Sequence, residues 1–320
     1  MNDSPRAVPV VFFGTAEFAC PSLTALARDP RYHVLGVVTQ PDRPRGRDLR
    51  RQPPPVKQTA LTLGLPVWQP EKCRDPEFIA RLAELAAEVF IVAAYGQILP
   101  PRLLELPRHG CLNLHGSLLP RHRGAAPIQW ALAEGDPETG VTLMRMDAGL
   151  DTGDIVAMAR TPIRPDDDAQ SLHDRLAALG AELLLRTLPD YLAGRITPRP
   201  QPAAGVTHAR KITREDGRLD WTLPAVRLAR RIRAFTPWPG AFALLPTGRR
   251  RRVKILAAEA VEHPGQEAPG TVLRAEGDHL RVACGEGALQ IRRVQREGGR
   301  PLSVAAFLAG CPLRAGQILE

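Results

Sequence analysis

Apolar residues open the chain as a short unbroken run, Val8-Pro9-Val10-Val11-Phe12-Phe13, which Gly14 ends. A run of that length, rich in β-formers, predicts a strand, and Ala16 to Arg28 then reads as a helix. A second strand is predicted from Val34 to Thr39, stopping at the Gln40-Pro41-Asp42 turn. A third, Val89 to Ala93, follows an amphipathic helix around Phe78 to Ala87. Strands alternating with helices predict an α/β, doubly wound, mostly parallel sheet, with its site at the carboxyl ends of the strands.

Helical spacing returns from Ala169 to Tyr191. Gly194 to Gly205 follows, broken by Pro198, Pro200 and Pro202, and reads as a linker. Beyond it, Ala225 to Ala234 is helical. Short alternating segments come next: Ala241–Leu245, Val253–Ala257, Gly270–Arg274, Leu280–Ala283 and Leu289–Val294. Strands at this spacing predict a small all-β barrel. The expected domains are therefore 1–193, a linker at 194–209, and 210–320. Two domains also suit a chain of 320 residues.

The opening turn, Phe12-Phe13-Gly14-Thr15-Ala16, has one glycine where a dinucleotide site needs three, which argues against that cofactor. Residues 41–55 are dominated by Pro and Arg and predict an exposed, basic, semi-rigid loop, too broken for helix or strand. With 44% hydrophobic and 24% charged residues, the composition is that of a folded globular protein. Five scattered cysteines, without a C-x-x-C pair, read as reduced and structural. Neither a leader nor a membrane-spanning run is visible, so a cytoplasmic location is expected.

Charge changes the picture more than composition does. Residues 206–320 hold 20 Lys or Arg against 11 Asp or Glu, which accounts for the entire net charge of +9. Residues 1–205 are neutral. This asymmetry points to a polyanion contacted by the second half, or to an Arg-rich solubilising surface.

Candidate chemistry concentrates in Cys111 to Pro127. If Cys111–Leu114 is a strand, its period of two puts Asn113 and His115 on one face, where the strand ends at Gly116. An amide donor can stabilise an oxygen that becomes negative during acyl transfer, and an imidazole can accept and return a proton near neutral pH. Downstream, Asp147, Asp151 and Asp154 lie among glycines, and one of them could orient that imidazole. On residue types alone two readings stand: a catalytic site, or a strand cap beside a decorated turn. Trp238 between Pro237 and Pro239 reads as a packing anchor at the start of the barrel ahead of the other reading, a base-stacking platform. Arg249 to Arg252 reads either as a solvated hairpin turn or as a polyanion contact.

Five segments then act together: PDRPRGR at 41–47, AYGQILP at 94–100, NLHGSLLPRHRGAAPIQ at 113–129, GDPETGVTLMRMDAGLDTGD at 135–154 and TPWPG at 236–240. In order, and over nearly the whole chain, they resemble the methionyl-tRNA formyltransferases. The NLHGSLLP and LDTGD segments are shared with the wider folate formyltransferase superfamily, whereas the PDRP loop and the C-terminal segment narrow the match.

The resemblance implies a Rossmann-like formyltransferase domain followed by an OB-like barrel. It implies 10-formyltetrahydrofolate as co-substrate, methionyl initiator tRNA as acceptor, no metal, and a monomer. By the family pattern, Asn113, His115 and Asp151 form the catalytic trio. Ser117, Leu118, Leu119 and Pro120 would line the folate site, with Tyr95, Gln97, Ile98 and Leu99 near the pterin. Arg43, Arg45 and Arg47 would meet the tRNA acceptor end. Three segments depart from the pattern: Asp48-Leu49-Arg50 replaces a Gly-Lys-Lys run, His122 replaces an aromatic, and His208-Ala209-Arg210-Lys211 replaces Tyr-Ala-Pro-Lys. A formyltransferase for a small amine, or a formyltetrahydrofolate hydrolase, would use the same trio but needs no basic second domain. An OB-like RNA-binding protein without catalysis would leave the trio unexplained.

Overall fold

The computed structural model describes residues 7–45, 50–246 and 252–320. Through the first part of the chain the elements are β1 (Val8–Gly14), α1 (Cys20–Arg28), β2 (Tyr32–Val38), β3 (Arg43–Arg45), β4 (Arg50–Gln52), α2 (Pro55–Thr62), β5 (Val67–Trp68), α3 (Pro76–Glu84), β6 (Val89–Ala93), α4 (Pro101–Leu104), β7 (Cys111–His115), β8 (Arg123–Gly124), α5 (Pro127–Glu134), β9 (Glu138–Arg145), β10 (Ile155–Pro162) and α6 (Ala169–Leu192). There follow β11 (His208–Ala209), α7 (Ala225–Ala234), β12 (Phe242–Leu244), β13 (Arg252–Val261), β14 (Val272–Glu276), β15 (His279–Ala283), β16 (Ala288–Arg296), β17 (Pro301–Ser303) and α8 (Val304–Gly310). Two compact units result. One comprises Met1–Gly124, Glu138–Thr161 and His173–His208; the other comprises Ala125–Pro137, Pro162–Leu172 and Ala209–Glu320.

In the first unit, a seven-stranded sheet has the order β10-β9-β7-β6-β1-β2-β5. Strands β7, β6, β1, β2 and β5 are parallel, and β9 runs antiparallel to β7. The inner residues of β1 and all of β6 are buried, as expected of central strands covered by helices on both faces. The chain leaves β1 for β2 on one side and returns on the other at β6. Such a reversal opens a crevice at the carboxyl ends of the strands.

Several boundaries differ from expectation for local reasons. The helix expected from Ala16 opens as a 3-10 turn, Glu17–Ala19, and becomes α1 at Cys20, where Pro21, lacking an N–H, fits the first turn. Helix α3 begins at Pro76, where the Asp75 carboxylate accepts a hydrogen bond from Glu77 N at 3.0 Å. The Pro/Arg segment is not wholly irregular, since Arg43–Arg45 pairs antiparallel with Arg50–Gln52. Pro44 is tolerated there because a two-stranded ribbon consists of edges only. Strands β9 and β10 were not anticipated. Gly140 explains part of their closeness, because a Cβ there would lie 2.0 Å from Ala159 O.

The second unit is an antiparallel sheet packed with helices. Its strand path, β12-β13-β16-β15-β14 with β17 on β16, is open at β12 and β14. The last residues bridge those ends. Glu320 and Leu244 exchange backbone hydrogen bonds, while Leu319 N donates to Gly270 O and Val272 N donates to Gln317 O. Leu228 and Ile232 of α7 join Ile255, Leu289, Ile291, Phe307 and Leu319 in one core. From the 125–137 excursion, Trp130 meets Phe235 edge-on at 6.3 Å and lies under the Arg210 guanidinium. Arg210 also pairs with Asp216, whose carboxyl is held well below the usual range by that guanidinium and by Thr213. Trp238 is not a packing anchor, being 53% exposed.

Candidate active site

Strand β7 lies beside β6 in parallel register, with Asn113 opposite Val92 and Leu114 opposite Ala93. Asn113 and His115 therefore emerge on one face at the carboxyl end of the sheet, next to the loop that leaves β6. Leu112 and Leu114 are buried in the sheet, and Asn113 is half-buried. His115 is 6% exposed, and both of its ring nitrogens have neighbours. Nε2 lies 2.9 Å from His122 O, and Nδ1 lies 3.6 Å from Asp151 Oδ2. Since a carbonyl oxygen only accepts, Nε2 carries a proton. Nδ1 is then the nitrogen able to exchange a proton with the carboxylate or with an arriving group.

Asp151 comes from the loop between β9 and β10 and has φ 52°, in the left-handed region. Gly124 N donates to its Oδ2 at 2.8 Å, and Oδ1 takes no hydrogen bond from the described residues. Asp147 shapes the same loop by accepting from Gly149 N at 3.0 Å and from Thr152 Oγ1 at 2.7 Å. At Gly153 a Cβ would sit 1.9 Å from Arg145 O, so only glycine permits that approach.

Gln201 and Thr207, which the sequence placed in or beside a linker, support these groups. Gln201 Nε2 donates to Asp151 O and Gly153 O, each at 2.8 Å. Its Oε1 accepts from Arg123 Nε at 3.0 Å and Nη2 at 2.7 Å. Thr207 Oγ1 accepts from His122 N at 2.8 Å, and Thr207 O accepts from Arg123 N at 2.9 Å. The signal available in the sequence was a polar side chain between Pro200 and Pro202.

The residues expected to line a folate site fall into two groups. Ser117 Oγ donates to Arg121 O at 2.6 Å, and Thr142 Oγ1 donates to Ser117 O at 2.7 Å while accepting from Leu119 N at 3.1 Å. Leu119 is buried, whereas Leu118 and Pro120 are half-buried. In the loop after β6, Tyr95 and Leu99 turn into the core. The Tyr95 ring meets Phe13 edge-on at 5.4 Å, and burial pushes its phenol well up, so it stays protonated. Gln97 is held by Cys73 N and Glu71 O. Ile98, at 82% exposed, presents an apolar side chain to solvent.

Among the residues expected at tRNA, Arg43 is exposed with Glu71 at 3.9 Å, and the backbone of Arg45 pairs in β3. Arg47 lies outside the described residues, as do Arg249, Arg250 and Arg251. Arg252 stacks over the Phe242 ring at 4.4 Å. Among the described residues no cluster of His, Cys, Asp and Glu suits a metal ion, and no helix is long and apolar enough to cross a membrane.

The formyl transferase family matches residues 8–188, and the formyl transferase C-terminal domain matches residues 211–312. The methionyl-tRNA formyltransferase of Myxococcus xanthus (strain DK1622) is 53% identical over 307 residues, covering 96% of each chain. That of Caldanaerobacter subterraneus subsp. tengcongensis is 48% identical, over 97% of this chain and 99% of its own. Among solved structures, the sugar 3N-formyl transferase WlaRD aligns with a TM-score of 0.65 at 17% identity, covering 90% of this chain and 97% of that one. HypX from Aquifex aeolicus, in complex with tetrahydrofolic acid, aligns at 0.60 and 18% identity over 97% of this chain and 50% of that chain. At such identities the solved structures speak to the fold alone.

Proposed function

Because this chain belongs to the methionyl-tRNA formyltransferase family, we propose that it transfers the formyl group of 10-formyltetrahydrofolate to the free amino group of methionyl initiator tRNA, giving N-formylmethionyl-tRNA for translation initiation. The observation that carries the reading is His115 Nδ1 facing Asp151 Oδ2 at 3.6 Å, with Asn113 on the same strand face. The donor supplies an electrophilic formyl carbon bound to a nitrogen leaving group. Asn113 offers an amide N–H to the oxygen on which negative charge develops, and His115 is the second donor at that point in the form that carries a proton on Nδ1 as well as on Nε2. Asp151, held at Oδ2 by Gly124 N–H, keeps Oδ1 for the acceptor amine and takes its proton. His115 and Asp151 then pass a proton to the departing nitrogen. Holding the reactants in line supplies the remainder of the rate.

The residues fit such a donor. The loop leaving β6 emerges beside β7, so exposed Ile98 offers an apolar contact for a flat heterocycle next to the proton-handling pair. Half-buried Leu118 and Pro120 form the other wall, with buried Ser117 and Leu119 fixing its backbone and Tyr95, Gln97 and Leu99 fixing the loop rather than presenting their side chains. Residues 1–193 carry folate binding and catalysis, and 194–209 connect. Residues 210–320 form an OB-like tRNA-binding domain that also includes 125–137 and 162–172; the bridging of β12 and β14 by the chain's last residues supports the barrel-like reading. Arg43, Arg45 and Arg47 meet the acceptor end, and the protein works as a cytoplasmic monomer.

The decisive assay is formyl transfer from 10-formyltetrahydrofolate to methionyl initiator tRNA, with free methionine, uncharged tRNA and methionyl elongator tRNA as controls. Transfer to the charged initiator alone is the expected result. Folate binding without transfer to any tRNA would move the assignment to a small-amine acceptor or a hydrolase.

A further inference from the structure

Arg199 and Ile155 exchange backbone hydrogen bonds, at 2.7 and 2.9 Å, immediately after the loop that bears Asp151. Two residues further, Gln201 lies between Pro200 and Pro202. A following proline holds a residue in extended backbone, so Arg199 and Gln201 enter the folded state with little freedom to lose. The Gln201 amide then uses both ends. Its nitrogen bonds the carbonyls of Asp151 and Gly153, and its oxygen receives the Arg123 guanidinium. Arg123 is flanked by the two residues whose main chains hold the trio: His122 O faces His115 Nε2, and Gly124 N donates to Asp151 Oδ2.

We propose that Gln201 is a positioning residue for formyl transfer, one amide that fixes the Asp151 loop against the 122–124 segment and so sets the His115–Asp151 distance. This role rests on the formyl-transfer reading above. Gln201 touches neither reacting group. It acts through two carbonyls and one guanidinium, beside the direct bond from Gly124 N to the Asp151 carboxylate. The demand is specific, because the side chain must donate twice and accept twice at the same time. Glutamate accepts but its carboxylate cannot donate to the carbonyls, and methionine cannot donate and offers only a weakly accepting sulfur.

The test compares Gln201→Glu and Gln201→Met with wild type in the full chain. Turnover, KM for 10-formyltetrahydrofolate and for methionyl initiator tRNA, thermal midpoint, and the pH dependence of kcat are measured together. Both variants should lose about tenfold or more in kcat, as misplacement of a proton-handling pair does. Both KM values should stay within about twofold. A limb of the kcat–pH profile should move, because the separation of His115 from Asp151 has changed. Wild-type kcat in either folded variant overturns the proposal. So does a kcat loss with an unmoved pH profile, which would mark a purely structural role. If the Glu variant does not fold, the Met variant decides by the same criteria. A wild-type chain that transfers no formyl group would instead overturn the functional reading itself, and this role with it, before any variant is compared.

Discussion

The two carboxylate oxygens of Asp151 face different partners. Oδ2 receives Gly124 N–H and looks toward His115 Nδ1, whereas Oδ1 accepts no hydrogen bond from the described residues. On the proposed mechanism that division makes the charge, and not just the shape, essential. Asp151→Asn keeps the shape and removes the base, so single-turnover formyl transfer should fall by roughly 10²- to 10⁴-fold. Affinity for the tRNA, measured by filter binding, should stay within about twofold of wild type. A variant with undiminished transfer would remove Asp151 from the chemistry. Asn113 and His115 were legible from the sequence because a strand's period of two puts them on one face. The groups that hold them were not, because several act through the main chain. His122 contributes its carbonyl and its N–H from a left-handed backbone with φ 56°, and no side-chain identity announces that. Its departure from the family's usual aromatic leaves those two backbone groups in place.

At the level of elements, legibility followed burial. Strands β1 and β6 are unbroken apolar runs and stood out, as did α7 with its helical spacing. β9 and β10 did not, since their segment reads first as a motif of glycines and acids. Strand β17 and helix α8 were missed as well, although Ser303 caps α8 by accepting from Ala306 N at 3.3 Å. The C-terminal stretch was equally silent, yet its backbone joins β12 to β14 and Leu319 is only 2% exposed. Leu319→Ala should therefore destabilise the protein by about 2–4 kcal/mol, the usual range for emptying a buried leucine site. Urea unfolding of the full chain checks this, and a loss under about 0.5 kcal/mol would show that the bridge contributes little.

For the whole molecule, charge is the sequence property with the longest reach. All of the formal excess lies in residues 206–320, and the first half adds the arginines of the 41–55 segment. If Arg47 neutralises a tRNA phosphate, Arg47→Ala should weaken binding and lower the slope of log affinity against log salt by about 0.7–0.9. Identical slopes would remove Arg47 from the interface. The arrangement of the chain was the least legible property, because the excursions at 125–137 and 162–172 have ordinary compositions and fold with the second unit through contacts distant in sequence. That arrangement bears on how such a protein can change by recombination. A crossover in the proline-rich stretch near 200 looks like a clean seam between modules. It would nevertheless give a hybrid whose second unit is assembled from two parents, with Trp130 from one meeting Phe235 from the other, and would separate Gln201 or Thr207 from the segment each holds. Exchange between relatives should therefore succeed where these pairs are inherited together, which makes the three-piece second unit, and not the linker, the unit of inheritance.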